Sequence, residues 1–296
     1  MKKGNQGTEV KVLQIQLNKI LGTKLVCDGD FGAKTEQAVM RFQAKYNLVQ
    51  NGICEGLTGE LIFTIYNKKI DENNLLTFGA ARFVVFVDSG HGGINDKGEY
   101  VTPGKRAYHQ GEQMHDGNGN YYEGHENRLM AEEFIEQCTK AGIQTIRTYH
   151  PWKDTPLSER TELVRSYLKR GYYGGMISFH TNAISSSNSK EALESTQGFI
   201  IYSTREENSS DDFAKLAFKK VAAKLPNLEM RPDKKNKSEC FSANFQVLRQ
   251  TDIDDFPDFW AVLVERNFHT SAEGCKQAME SRKECAEAFI EAIQEF

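Results

Sequence analysis

The stretch FVVFVDSGHGG, Phe83 to Gly93, decides how the chain is read. Its first residues are aromatic and β-branched, and unbroken apolar runs of this kind suit a strand covered on both faces. The run then ends at a histidine enclosed by glycines. A buried strand has no need of such an ending. Glycine lets the backbone and a ligand approach closely, so the stretch points to a reactive group held at the edge of a sheet.

Working outward, strand-like and helix-like stretches alternate from Phe83 to the end. IQTIRTY, GMISFHTN, GFIIYS, NFQVLR and FWAVLVE read as further strands. ENRLMAEEFIEQCTKAG, PLSERTELVRSYLKRG, SDDFAKLAFKKVAAKL and EGCKQAMESRKECAEAFIEAIQEF read as helices, with Gly142 a stop and Pro156 a start. This alternation predicts an α/β domain with a largely parallel sheet and flanking helices.

Three apolar runs end in ionisable residues: His91, His180 after MISF, and Glu265 after AVLV. In open α/β sheets ligands collect at the carboxyl ends of the strands. Two imidazoles and a carboxylate on one edge suit a metal or an acid–base site. A catalytic zinc takes three protein ligands and leaves a fourth position open. For the third ligand Glu99, Glu112, His109, His115, Glu123, His125 and Glu126 compete. Glu123 is best placed, just before the helix that follows the first strand.

The blocks VDSGHGG, EGHENRL, LSER, ISFHTNA, FQVLR and AVLVERNF occur in the order and spacing of a known family. Residues 83–296 resemble the zinc-dependent N-acetylmuramoyl-L-alanine amidases of the Amidase_3 type. The resemblance implies that His91, Glu123 and His180 bind Zn2+ and that Glu265 is the catalytic carboxylate. Arg249 in FQVLR and Asn182 are candidates for contacting substrate, while Arg160 is expected to anchor its helix. The chain departs from the family at Ser89, which replaces a proline, and at Asn267, which replaces a glycine. Two insertions, 94–122 and 252–259, are candidates for the rim of the cleft.

The head of the chain has another character. VKVLQIQLNKIL places Val10, Leu13, Leu17, Ile20 and Leu21 on one helical face. DGDFGAKTEQAV and NGICEGLTGELI repeat one pattern, an Asp/Asn-Gly turn followed by a threonine that opens an apolar helix. Thr35 and Thr58 are expected to act as N-caps. Three short helices follow over residues 1–68. GTEVKVLQIQL with these two repeats resembles the three-helix peptidoglycan-binding domain, which implies a groove for stem peptide. Residues 69–82 read as a linker.

Composition bounds the rest. The chain of 296 residues is 39% hydrophobic and 26% charged, as a globular protein is. No stretch approaches the ~18 apolar residues of a membrane span. MKKGNQGTEVKV lacks an apolar export region, so synthesis and first residence in a host cytoplasm are expected. Six cysteines show no CxxC pair, and a disulfide between Cys27 and Cys54 is the one pairing considered. Residues 1–70 carry a net charge of +4 and the remainder −8, without the dense basic stripe that nucleic acid requires. A monomer is expected. The reading is a wall binder joined to a wall cutter, as in a phage endolysin that reaches peptidoglycan once the membrane opens. The alternatives are a zinc peptidase acting within the stem peptide and a wall-binding protein without catalysis.

Overall fold

The computed structural model describes residues 1–46, 48, 50–66, 83–204, 208–251, 256 and 258–296. The chain divides into two compact units, residues 1–82 and 83–296. The expected linker, 69–82, lies outside the described residues, as do 252–255 and 257 of the second insertion.

In the first unit α1 (Thr8–Leu21), α2 (Ala33–Lys45) and α3 (Gly56–Tyr66) form the expected helices. They bury Leu13, Leu17, Phe31, Val39, Phe42 and Leu61. The two threonines do not cap. Gly32 is the N-cap of α2, and Thr35 and Thr58 lie inside their helices. A buried glutamine has claimed each hydroxyl. Gln14 Nε2 lies 3.2 Å from Thr35 Oγ1, 2.9 Å from Asp28 Oδ1 and 3.0 Å from the Asp30 carbonyl, while its Oε1 accepts the Gly29 amide at 2.9 Å. Gln43 repeats this with Thr58 at 3.2 Å, Asn51 at 2.7 Å, the Ile53 carbonyl at 3.0 Å and the Gly52 amide at 3.0 Å. The internal sequence repeat is therefore a repeat of one polar pin.

In the second unit β1 (Phe83–Ser89), β4 (Thr145–Arg147), β5 (Tyr173–Asn182), β6 (Ile200–Ser203), β7 (Phe241–Ser242) and β8 (Trp260–Phe268) make one sheet, in the order β4-β1-β5-β8-β6-β7. β4, β1, β5 and β8 are parallel, and β6 runs antiparallel to β8. The central strands read as unbroken apolar runs because both faces are covered. Val85, Val87, Ile177, Phe179, Val262 and Val264 pack under α4 (Glu123–Lys140), α7 (Ser209–Lys224) and α10 (Arg282–Glu295). Val84, Phe86, Met176, Ala261 and Leu263 face α5 (Leu157–Leu168) and α8 (Gln246–Arg249). A short α6 (Lys190–Ser195) precedes β6, and the first insertion holds a hairpin of β2 (Arg106–Tyr108) and β3 (Asn120–Tyr122).

Two expectations change. FQVLR is not a strand but the single turn of α8, whose apolar pair Val247 and Leu248 packs beside α5. The last apolar stretch is two helices, α9 (Ala272–Glu280) and α10, divided at Ser281. All six cysteines, Cys27 and Cys54 included, are free thiols. Among the described residues no helix is long and apolar enough to cross a membrane.

Candidate active site

β1 ends at Ser89, but its pairing with β5 continues one residue further, since the Gly90 amide donates to the Phe179 carbonyl at 3.0 Å. Asn127 of α4 donates to the Gly90 carbonyl at 3.3 Å. His91 then turns with φ 62°, in the left-handed region, at a cost of roughly 1–2 kcal/mol for a residue with a Cβ. The glycine before it is required by space. A Cβ on Gly90 would stand 2.0 Å from the His180 ring. Across the same gap, a Cβ on Gly124 would stand 2.0 Å from the Gly92 carbonyl oxygen. These absences let the first turn of α4, the turn after β1 and the end of β5 meet.

Glu123 is the first residue of α4, where the positive end of the helix favours a carboxylate. Its Oε1 lies 3.1 Å from His91 Nε2 and 3.3 Å from His180 Nδ1. The two imidazole rings stand 5.3 Å apart at 88°. One ligand atom from each of the three residues falls within 4.8 Å of the others. Burial alone would raise the Glu123 carboxyl, but the hydrogen bonds with His180 and His91 hold it well below the usual carboxylate range. Two nitrogens and one anionic oxygen in this spacing are a donor set that fits zinc.

Glu265 lies on β8 opposite His180 on β5. The residue is half-buried, but its Oε2 is shielded from solvent and has no hydrogen-bond partner among the described residues. Burial pushes this carboxyl well above its ordinary value, and the charge of Glu123 adds to the rise. Its surroundings thus oppose those of Glu123: one carboxyl is kept anionic, the other is made ready to hold a proton.

The remaining ligand candidates have other partners. Glu126, fully buried, is held by Arg266 and Arg282 and by His115 at 3.1 Å. His125 lies edge-on to His115. His109 reaches the His269 carbonyl at 3.0 Å, Glu112 pairs with Lys276 at 2.7 Å, and Glu99 accepts from Asn95 at 3.0 Å. Arg160 anchors α5 to the end of β1, with Asp88 at 3.0 Å, the Ser89 carbonyl at 2.6 Å and Asp154 at 3.1 Å.

A cavity of about 720 Å³ opens over His91, Glu123, His180 and Glu265. Pro156, Leu157, Phe245 and Val247 give it an apolar side, and Leu157 and Phe245 remain 41% and 39% exposed at its rim. Asn182 also lines it. Arg249 does not, being exposed on α8. Two lining residues escape a reading of the sequence, Lys105 and His269. Lys105 sits in the first insertion among other polar residues, with no apolar pattern to mark it. His269 closes the ERNFHT stretch, where the histidine itself was the available signal.

Known proteins resemble both parts of the chain. Residues 85–295 match the family described as N-acetylmuramoyl-L-alanine amidase, and residues 6–61 match a peptidoglycan binding domain. The fold resembles that of the N-acetylmuramoyl-L-alanine amidase from Clostridium difficile 630, with a TM-score of 0.52 and 19% identity over 72% of this chain and 95% of that one. It also resembles the catalytic domain of CwlV, an amidase of Bacillus (Paenibacillus) polymyxa var. colistinus, with a TM-score of 0.51 and 22% identity over 72% and 96%. A shorter similarity, 37% over 67 residues, joins 22% of the chain to the zinc D-Ala-D-Ala carboxypeptidase of Streptomyces albus G, and spans only 26% of that relative.

Proposed function

Because the chain belongs to the N-acetylmuramoyl-L-alanine amidase family, whose reaction is hydrolysis of the amide between N-acetylmuramic acid and L-alanine of peptidoglycan, we propose that His91, Glu123 and His180 hold a zinc ion for it and that Glu265 handles the protons. One observation carries the reading. Two imidazole nitrogens and a carboxylate oxygen lie within 4.8 Å of one another, and a second carboxylate, whose shielded Oε2 has no partner among the described residues, shares their cavity.

Zinc at these three side chains would acidify water toward ~7 and polarise the scissile carbonyl. Glu265 supplies the rest. Its raised proton affinity suits it to take a proton from water as the nucleophile attacks. The same carboxyl then delivers that proton to the departing amine of L-alanine. Such acid–base assistance contributes ~10²–10⁴ in rate. The apolar side of the cavity, Leu157 and Phe245, offers a surface to the sugar and lactyl carbons, while Asn182 is placed to contact polar groups of the substrate.

Residues 6–61, a peptidoglycan binding domain, would keep the enzyme on the wall between cuts, and tethering of this kind raises the effective substrate concentration. Use in lysis from within a host, the setting expected above, belongs to the same proposal. Its test is whether cells making the protein lyse only after their membrane is permeabilised.

Digestion of purified peptidoglycan followed by mass spectrometry tests the reaction. New L-alanine amino termini, lost on chelation and restored by zinc, are the expected result. A cut elsewhere in the stem would make the enzyme a peptidase, and no products at all would leave only a wall binder.

A further inference from the structure

The insertion between β1 and α4 is not a loose loop over the site. Its residues 100–105 are fastened to the backbone that carries His91 and Glu123. The Gly92 amide donates to Thr102 Oγ1 at 2.8 Å, and the Val101 amide to the Gly93 carbonyl at 3.1 Å. The Glu123 amide donates to the Lys105 carbonyl at 3.0 Å. Tyr100 Oη donates to that same carbonyl at 2.8 Å and accepts the Gly124 amide at 2.9 Å. The backbone of Lys105 is therefore fixed against the metal ligands themselves.

The side chain of Lys105 lines the cavity over the site. Its ammonium makes no hydrogen bond or ion pair with any described residue, and its charge is felt by Glu265 and His269. The other cation on the cavity wall, Arg160, is committed to Asp88, Asp154 and the Ser89 carbonyl. Four carboxylates line the same space: Asp88, Glu123, Asp154 and Glu265. Asp88 and Asp154 are offset by Arg160 and Glu123 faces His91 and His180, so among the described residues Lys105 is the cation of this wall left free to pair with an entering anionic group. Peptidoglycan stems bring such a group close to the scissile bond. The acidic residue after L-alanine is joined through its side chain, so its α-carboxyl is left free in some walls and capped as a carboxamide in others.

We propose that Lys105 is a specificity-determining residue that pairs with this free α-carboxylate, so that the enzyme favours stems bearing the acid over stems bearing the carboxamide. This rests on the amidase reaction proposed above. A lysine at a cleft mouth is a point charge on a flexible stem, and a pair made by an exposed lysine contributes modestly. The interaction is made equally before and during bond breaking, so it acts on KM rather than on kcat.

The test uses the zinc-loaded full chain and two synthetic muramyl peptides that differ only in that carboxyl or carboxamide. The parent should cut the acid with kcat/KM about two- to fivefold above the carboxamide. Lys105→Met should bring that ratio close to one by raising KM for the acid, with zinc content unchanged. Lys105→Arg should restore most of the preference, and Lys105→Glu should reverse it. Equal cleavage of both peptides by the parent, or a ratio unmoved by Lys105→Met, overturns the role of Lys105 and leaves the amidase reading intact. A parent that cuts neither peptide at the muramyl–alanine bond brings down the amidase reading, and this proposal with it.

Discussion

His180 and Glu265 are register partners on adjacent parallel strands, β5 and β8. Residues in register on neighbouring strands point to the same face of a sheet, so the proposed ligand and the proposed proton carrier rise side by side. Their separation is set by the sheet, whose strand spacing is ~4.8 Å, rather than by a loop. A zinc ligand and a base on rigid elements need little reorganisation at the moment of reaction.

Glu265→Gln keeps the shape of the side chain and removes its capacity to carry a proton. The expected outcome is a loss of ~10²–10⁴ in kcat, with zinc content and thermal stability at or above the parent values. Stability should not fall, because the substitution takes away a half-buried carboxyl whose shielded Oε2 has no partner among the described residues. Release of muropeptides from purified walls, measured beside metal content, checks both halves. Cleavage at the parental rate would show that the proton carrier lies elsewhere.

Gly90→Ala tests the geometry without touching a ligand. The added methyl would stand 2.0 Å from the His180 ring, which must swing aside or push the turn away. Zinc affinity is expected to fall at least ~10-fold, since disturbing what orients a ligand costs that much, while circular dichroism stays that of the parent. Ser89→Ala, on the residue before it, is the control. If Gly90→Ala binds zinc as tightly as the parent, the close passage of His180 over Gly90 has no bearing on the metal site.

Much of this site was legible in the sequence because its residues interrupt apolar runs, although β5 and β8 themselves continue to Asn182 and Phe268. An apolar run long enough to be a buried strand shows where a polar side chain enters it, and His91, His180 and Glu265 each close such a run. Glu123 is the best-placed third ligand in the sequence alone, but what occupies Glu126 is not legible there, because Arg266 and Arg282 close on it from 140 and 156 residues further along. FQVLR misled because a short apolar run fits a strand or one helical turn equally well. The break at Ser281 was hidden for a related reason. Ser281 and Arg282 are ordinary helix residues by propensity, and it is the Glu126 contact that claims Arg282.

The Glu126 cluster predicts a pH dependence of stability. Burial raises this carboxyl, yet Arg266, His115 and Arg282 bring it down from 4.5 to about 2 in the folded chain. A carboxyl lowered by folding binds more protons when unfolded. Its contribution is therefore complete above about 4.5 and is lost as the pH falls toward about 2. Glu126→Gln leaves the buried Arg266 without its counter-charge, a change that costs ~3–5 kcal/mol in comparable pairs. Urea midpoints should show a wide gap between parent and variant at neutral pH, closing through the acid range. A gap that stays constant down to pH about 2 would mean the carboxylate charge is not what the cluster stabilises.

The paired glutamines of the first unit allow a prediction with its own internal control. Gln43 Oε1 accepts the Gly52 amide at 3.0 Å and Gln14 Oε1 accepts the Gly29 amide at 2.9 Å. Both glycines turn with positive φ, 71° and 81°, so each pin fixes a tight turn that a residue with a Cβ would strain. Removing a buried partner and leaving its donor unmet costs ~1–3 kcal/mol, felt first as local opening. In Gln43→Ala the amide of Gly52 should lose ~10-fold or more of its hydrogen-exchange protection while that of Gly29 keeps its own. In Gln14→Ala the pattern should invert. Equal loss at both turns in either variant would mean that the unit opens as a whole and that the two pins are not independent. Loss at neither would mean that the turns hold through their Asp28 and Asn51 side chains, which accept the Asp30 and Ile53 amides at 2.9 Å and 3.0 Å.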